Sequence, residues 1–138
     1  MTQRRHRVLI AEDNMTNSLI VRKMLEPENL ELILVENGRL AVESYERQPP
    51  DIVLMDMSMP VMDGLQAARE IRRIEARDGL PRVPMVALTA NAFSDDRDAC
   101  IEAGLDDFLT KPISKPDLTE RIRAHLSSAQ EAISTKAL

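Results

Sequence analysis

Short, nearly unbroken apolar runs alternate with helix-patterned segments along the chain, and this alternation restricts the fold more than any other feature. The first run, residues 7–11, ends at Glu12 and Asp13. Others occupy residues 31–35, 51–55, 85–89 and 107–110. The third stops at Asp56, the fourth closes on Thr89, and the fifth stops at Lys111. Runs of four or five residues without polar alternation suit strands covered on both faces, as in a parallel sheet.

The segments between them read as helices. Asn14 can cap the first, which carries Met15, Leu19, Ile20 and Met24 toward one side. Asn37-Gly38 leads into a second over 39–47, stopped by Pro49-Pro50. Gly64 opens a third, with Leu65, Ala68, Ile71 and Ile74 at helical spacing. Ser94 can cap a fourth, whose early acids Asp95 and Asp96 suit a positive helix N-terminus, and Gly104 is its stop. The last follows Ser114 with the stripe Leu118, Ile122, His125 and Leu126. Five strands alternating with five helices predict a doubly wound α/β sheet. Residues 1–6 form an N-terminal arm, residues 7–126 the folded domain, and residues 127–138 a flexible, frayed tail with no clear partner face.

Composition excludes competing classes. A chain of 138 residues suits one domain large enough for its own core. A hydrophobic fraction of 43% with 30% charged residues argues against disorder over the whole length. The net charge of −5 makes direct nucleic-acid binding a poor default, because phosphate affinity comes from clustered Lys and Arg. The single cysteine, Cys100, excludes an internal disulfide, and no Cys/His set has zinc spacing. No apolar run approaches a membrane span, and the polar, basic start is no signal peptide. The expectation is a soluble cytoplasmic domain without membrane contact of its own.

Ligands of open α/β sheets bind outside the carboxyl ends of the strands. Glu12, Asp13, Asp56, Thr89 and Lys111 all fall at such ends, so the fold should gather three carboxylates, a hydroxyl and an ammonium into one patch. Crowded carboxylates repel, and a divalent cation relieves this; all-oxygen ligands favour Mg²⁺ or Mn²⁺ over zinc. Asp56 beside such a metal can act as a nucleophile toward phosphorus, with Lys111, Thr89 and loop N–H groups stabilising the transferred charge. The plainer reading of Asp13 or Asn14, as a helix cap, stays open beside metal binding.

These residues sit in recognisable strings: Ala11-Glu12-Asp13-Asn14, Leu54-Met55-Asp56-Met57-Ser58-Met59-Pro60-Val61-Met62-Asp63-Gly64, Ala87-Leu88-Thr89-Ala90-Asn91-Ala92, Ala103-Gly104 and Phe108-Leu109-Thr110-Lys111-Pro112. Over residues 7–126 the chain resembles the receiver domain of two-component response regulators, most like the receivers of hybrid sensor histidine kinases. The resemblance implies a flavodoxin-like, five-stranded parallel sheet of order 2-1-3-4-5 with five helices. It implies Asp56 as phosphoacceptor and a metal set of Glu12 (through water), Asp13, Asp56 and the Ser58 carbonyl. Lys111 and Thr89 would contact the phosphoryl group, with the N–H groups of Met57 and Ala90 as further donors. Thr89 and Phe108 would form the switch, and Lys111-Pro112 a cis bond. Phe108 lacks a tyrosine hydroxyl, so switching would rest on packing; static core packing is the plainer alternative for the ring. Ser58 and Asn91 flank the path of hydrolytic water.

The resemblance names a histidine kinase or histidine phosphotransfer domain as partner, and makes the last helix and its neighbours a surface for a weak homodimer. The chain would assist its own phosphorylation and dephosphorylation without being a turnover enzyme. The alternatives are a haloacid-dehalogenase-like phosphatase, which would show a second Asp two residues after its nucleophile, and a binding-only pseudo-receiver. Met55, Met57, Met59 and Met62 read as adaptable packing around Asp56, and Cys100 as a small buried apolar residue.

Overall fold

The computed structural model describes residues 5–59, 61–90 and 94–137, with side chains placed for 5–59, 61–90 and 97–127. Five strands, β1 (Arg7–Ala11), β2 (Glu31–Val35), β3 (Ile52–Asp56), β4 (Met85–Thr89) and β5 (Asp107–Thr110), alternate with five helices. These are α1 (Met15–Leu25), α2 (Gly38–Arg47), α3 (Gly64–Asp78), α4 (Ser94–Ala103) and α5 (Lys115–Ala137), and a 3₁₀ turn covers Glu26–Glu28. The sheet is parallel throughout, in the order β2-β1-β3-β4-β5. This is the expected doubly wound arrangement, and its strand order reverses between β1 and β3.

The central strands explain why their sequences lack alternation. β3 and β4 are buried along their whole length, whereas the edge strands β2 and β5 are only partly covered. Leu9, Val53, Met55, Met85 and Ala87 point to a layer built with Ala41 and Tyr45 of α2, Ala68 and Ile71 of α3, and Cys100 of α4. Val8, Ile10, Ile52, Leu54 and Leu88 point to the opposite layer, closed by Val21 and Leu25 of α1 and Leu118 and Ile122 of α5. Each fully buried Leu or Ile contributes roughly 1.5–3 kcal/mol relative to leaving it in water. Met55 and Met59 are core residues, as their spacing suggested, and Cys100 is buried.

Side-chain caps set the helix starts. Asn14 Oδ1 accepts from the Asn17 N–H at 3.0 Å, Asn37 Oδ1 from Leu40 at 2.8 Å, and Asp63 Oδ1 from Gln66 at 2.9 Å. These satisfy N–H groups that have no partner within the helix. Ser114 Oγ plays the same part before α5, accepting from Asp117 at 3.3 Å. The expected cap at Ser94 falls on a side chain outside those placed, and Asn91 lies outside the described residues. α4 stops at Gly104 as expected.

Beyond Leu126 the backbone continues as helix to Ala137. Residues 127–138 have no Pro or Gly and hold three Ala, three Ser and one each of Gln, Glu and Lys. Once α5 is nucleated, intrinsic propensity continues it without an apolar stripe.

Candidate functional site

The strand ends converge as the topology requires. β1 and β3 are neighbours, so Glu12, one residue beyond β1, lies beside Asp56 at the end of β3. β4 and β5 are neighbours on the other side, which brings Thr89 and Lys111 to the same edge; the Lys111 N–H donates to the Thr89 carbonyl at 2.7 Å. Carboxylate oxygens of Glu12, Asp13 and Asp56 all lie within 4.8 Å of one another. Glu12 and Asp56 are buried, Asp13 is exposed, and Thr89 is buried.

Lys111 is the cation at this cluster. Its Nζ stands 3.1 Å from Glu12 Oε2 and 3.4 Å from Asp56 Oδ1. The Ser58 N–H also donates to Asp56 Oδ1, at 3.1 Å. Glu12 is held by Asn17 Nδ2, which donates to Oε1 at 3.1 Å, and by the Asn14 N–H at 3.3 Å. Two polar groups of the first helical turn therefore fix the carboxylate that Lys111 faces.

Burial dominates the protonation of Asp56. Loss of hydration pushes its carboxyl up to about 6, with the Glu12 charge adding to the rise; the Ser58 N–H and Lys111 pull in the other direction. Lys111 is itself raised: burial opposes its charge, but the hydrogen bond it donates to Glu12 and the nearby carboxylate charges outweigh it. One positive charge among three carboxylates leaves a net negative pocket. All-oxygen donors at this spacing are the chemistry that a hard divalent cation accepts.

A cavity of about 290 Å³ opens beside Asp56, lined by Ser58, Thr89, Ala90 and Lys111 on the polar side and by Met57, Leu65, Leu88, Ala99 and Cys100 on the other. The close approach of α3 depends on Gly64: a Cβ there would stand 2.4 Å from the Asp56 carbonyl oxygen and 2.3 Å from Met57 Cε. Phe108, half-buried on β5, packs against the core layer shared with Ala87 and Cys100. The Lys111-Pro112 bond is cis.

The site thus brings together every side chain singled out at the strand ends. The Met57 N–H donates to the Leu88 carbonyl at 3.1 Å, within the β3–β4 ladder, and the Ser58 N–H reaches the Asp56 carboxylate. Parallel pairing continues one residue past β3, which consumes the Met57 donor. The roles of Asn14 and Asn17 as supports for Glu12 were not singled out from sequence. Their signal was available: both lie within one helical turn of the strand end. Among the described residues, no helix is long and apolar enough to cross a membrane.

This fold and site define a class, and the comparisons agree. The response regulator receiver domain model matches residues 8–123, and the chain belongs to that family. It is 42% identical over 120 residues to the sensor protein GacS of Pseudomonas syringae pv. syringae, a match covering 87% of this chain but only 13% of that protein. Among solved structures it is similar to the receiver domain of sensor histidine kinase PA1611 from Pseudomonas aeruginosa PAO1, which has magnesium coordinated in its active-site cleft. The TM-score is 0.81 at 40% identity, covering 90% of this chain and 99% of that one. It is also similar to the receiver domain of Ssk1, solved with the histidine phosphotransfer protein Ypd1 of Saccharomyces cerevisiae, at TM-score 0.81 and 32% identity, covering 88% and 89% of the two chains.

Proposed function

We infer that this chain is a phosphorylation-dependent signalling switch whose acceptor is Asp56. The observation that carries the reading is the meeting of one buried, raised carboxylate with two further acids and a lysine at the strand ends. The donor is a histidine kinase or a histidine phosphotransfer protein carrying phosphohistidine; the Ypd1 complex of the Ssk1 receiver supports that partner class. A carboxylate oxygen of Asp56 bonds to phosphorus, the phosphorus–nitrogen bond breaks, and its electron pair leaves with the imidazole. The product is an acyl phosphate.

Glu12, Asp13, Asp56 and the Ser58 carbonyl are the residues that would hold Mg²⁺, with Mn²⁺ the alternative. When bound, the cation neutralises the acidic cluster and the incoming phosphoryl charge. The protein's own groups do the rest. Ser58 N–H and Lys111 hold the acceptor carboxylate through Oδ1. Lys111, the Thr89 hydroxyl and the Ala90 N–H line the cavity into which the phosphoryl oxygens project. In this role the chain assists its own phosphorylation and, with water as the second nucleophile, its own dephosphorylation. Thr89 and Phe108 then carry the change to a partner surface. The unit acts on the cytoplasmic side, with residues 7–126 as the receiver proper, and a weak homodimer through α5 and its neighbours is part of the reading.

A haloacid-dehalogenase-like phosphatase fits less well, because Asp56 closes β3, not the first strand, and its second neighbour is Ser58, not an acid. A binding-only pseudo-receiver would lack some of the five side chains that meet here. The test is incubation with acetyl phosphate and Mg²⁺ followed by intact mass. Wild type gains the mass of one phosphoryl group and Asp56→Ala gains none. No gain on wild type, or an undiminished gain on the variant, overturns the assignment.

A further inference from the structure

The first turn of α1 is folded around Glu12. Asn14 is the N-cap, and its Oδ1 accepts from the N–H of Asn17, the third helical residue, at 3.0 Å. That is half of a capping box. In the complete motif the third residue is Glu or Gln, and its side chain returns to the N–H of the cap. Here the return bond is made from outside the helix: the Asn14 N–H donates to Glu12 Oε1 at 3.3 Å. The Asn17 side chain is released from that duty, and its Nδ2 donates to the same Glu12 Oε1 at 3.1 Å.

The two Glu12 oxygens therefore have separate partners. Oε1 takes two donors from α1, one backbone and one side chain. Oε2 is turned to Lys111, whose Nζ stands 3.1 Å away. The Glu12 side chain is only 2% exposed, so water cannot substitute freely for a lost donor. An untethered Glu samples several rotamers about its three side-chain torsions. The donors on Oε1 remove that freedom and keep Oε2 on the side of the acidic cluster with Asp13 and Asp56.

The residue type at position 17 fits this task and no local one. Asn is a poorer helix former than Ala, Glu or Gln, and the capping box prefers the last two. Glu at this place would set a second carboxylate against Glu12. Ala would leave Oε1 with the backbone donor alone, the longer of the two bonds. The next residue gives a contrast: Ser18 Oγ reaches only the Glu12 backbone carbonyl, at 3.5 Å, and leaves the carboxylate untouched.

Resting on the reading of Glu12, Asp13 and Asp56 as a Mg²⁺ set, we propose that Asn17 is a positioning residue for the cation. Acting through Glu12, it sets the affinity of the cluster for Mg²⁺, and with it the Mg²⁺ concentration at which Asp56 takes up a phosphoryl group. Groups that orient metal ligands from behind govern metal affinity in this way.

Titration of the full chain with Mg²⁺, followed by amide shifts in NMR, tests this. Asn17→Ala keeps the backbone cap and gains helix propensity, and its Kd for Mg²⁺ should rise about tenfold. Asn17→Gln, which retains an amide donor, recovers part of the loss, and Ser18→Ala binds as wild type does. In a Glu12→Gln background Asn17→Ala shifts Kd by less than about twofold, because its effect passes through that carboxylate. Phosphoryl uptake from acetyl phosphate, read by intact mass, gives a second readout. Asn17→Ala needs about tenfold more Mg²⁺ for half its maximal rate and reaches the wild-type rate when Mg²⁺ saturates. An unchanged Kd beside a lower metal-free Tm makes Asn17 a helix support only and overturns the proposal. So does an equal shift in the Glu12→Gln background, or a lost rate that excess Mg²⁺ does not restore. A wild type whose shifts ignore Mg²⁺ overturns the metal set and the proposal with it. A wild type that binds Mg²⁺ but takes up no phosphoryl group overturns the reading of Asp56 alone, and the titration still decides Asn17.

Discussion

Replacing Asp56 by Asn should stabilise the metal-free protein, and should do so only above the pH at which the aspartate ionises in the unfolded chain. The carboxyl is pushed from 3.8 up to about 6 by burial and by the neighbouring Glu12 charge. A group whose folded pKa is raised makes its full contribution below its unfolded pKa, and loses it as pH climbs through the folded value. Below pH 3.8 the two proteins therefore differ little. Between pH 4 and 6 the gap opens, and above 6 it is complete.

A two-unit shift corresponds to about 3 kcal/mol at about 1.4 kcal/mol per unit. Lys111 loses a partner at 3.4 Å in the variant but keeps Glu12 at 3.1 Å, so part of that gain is returned. A net gain of about 1–3 kcal/mol is expected, or about 3–9 °C in Tm for a chain of this size. The assay is thermal unfolding by circular dichroism in the presence of chelator, at pH 4 and pH 7.5. A variant that melts at or below wild type at pH 7.5 would refute the argument, as would a gap of equal size at both pH values.

Metal should reverse this order. Saturating Mg²⁺ raises the wild-type Tm by mass action, about 2.7 kcal/mol at a hundred times Kd, and Asp56→Asn gains less; an unchanged wild-type Tm across the titration would count against the cluster. Lys111→Met should cut acetyl phosphate-dependent incorporation by about a hundredfold while keeping a Mg²⁺-dependent rise in Tm, read by intact mass and melting side by side. Gly64→Ala drives a Cβ to 2.4 Å from the Asp56 carbonyl, so overpacking of about 1–3 kcal/mol is expected, seen as a lower denaturant midpoint at unchanged m. Glu75→Ala leaves the Arg72 guanidinium buried without its bidentate partner; a loss of about 3–5 kcal/mol should appear in chemical denaturation.

Much of the fold was legible because the relevant physics is local. Asn14, Asn37 and Asp63 announce helix starts through their own side chains, and unbroken apolar runs announce strands buried on both faces. The apolar stripe of α5 stops at Leu126, whereas its helical backbone runs to Ala137. Arg72 and Glu75 were passed over, although Glu75 stands one turn after Ile71 on the buried stripe of α3, where a charge demands a partner. Nothing near either residue in sequence names Gly104 or Asp106 as that partner.

By itself the sequence determined the class of sheet, the strand ends where chemistry collects, and the residue types that collect there. Those follow from periodicity, from capping chemistry and from strings that resemble one family. Tertiary structure alone decided that Lys111 bridges Glu12 and Asp56, that the Ser58 N–H is directed at the Asp56 carboxylate, and that Arg72 binds the Gly104 carbonyl and Asp106. The reason is distance along the chain. Lys111 is 99 residues from Glu12, and Arg72 is 34 from Asp106. Only the parallel pairing of β1 with β3 and β4 with β5 brings such groups within bonding range. Burial, which raises Asp56, exists only after that pairing has formed.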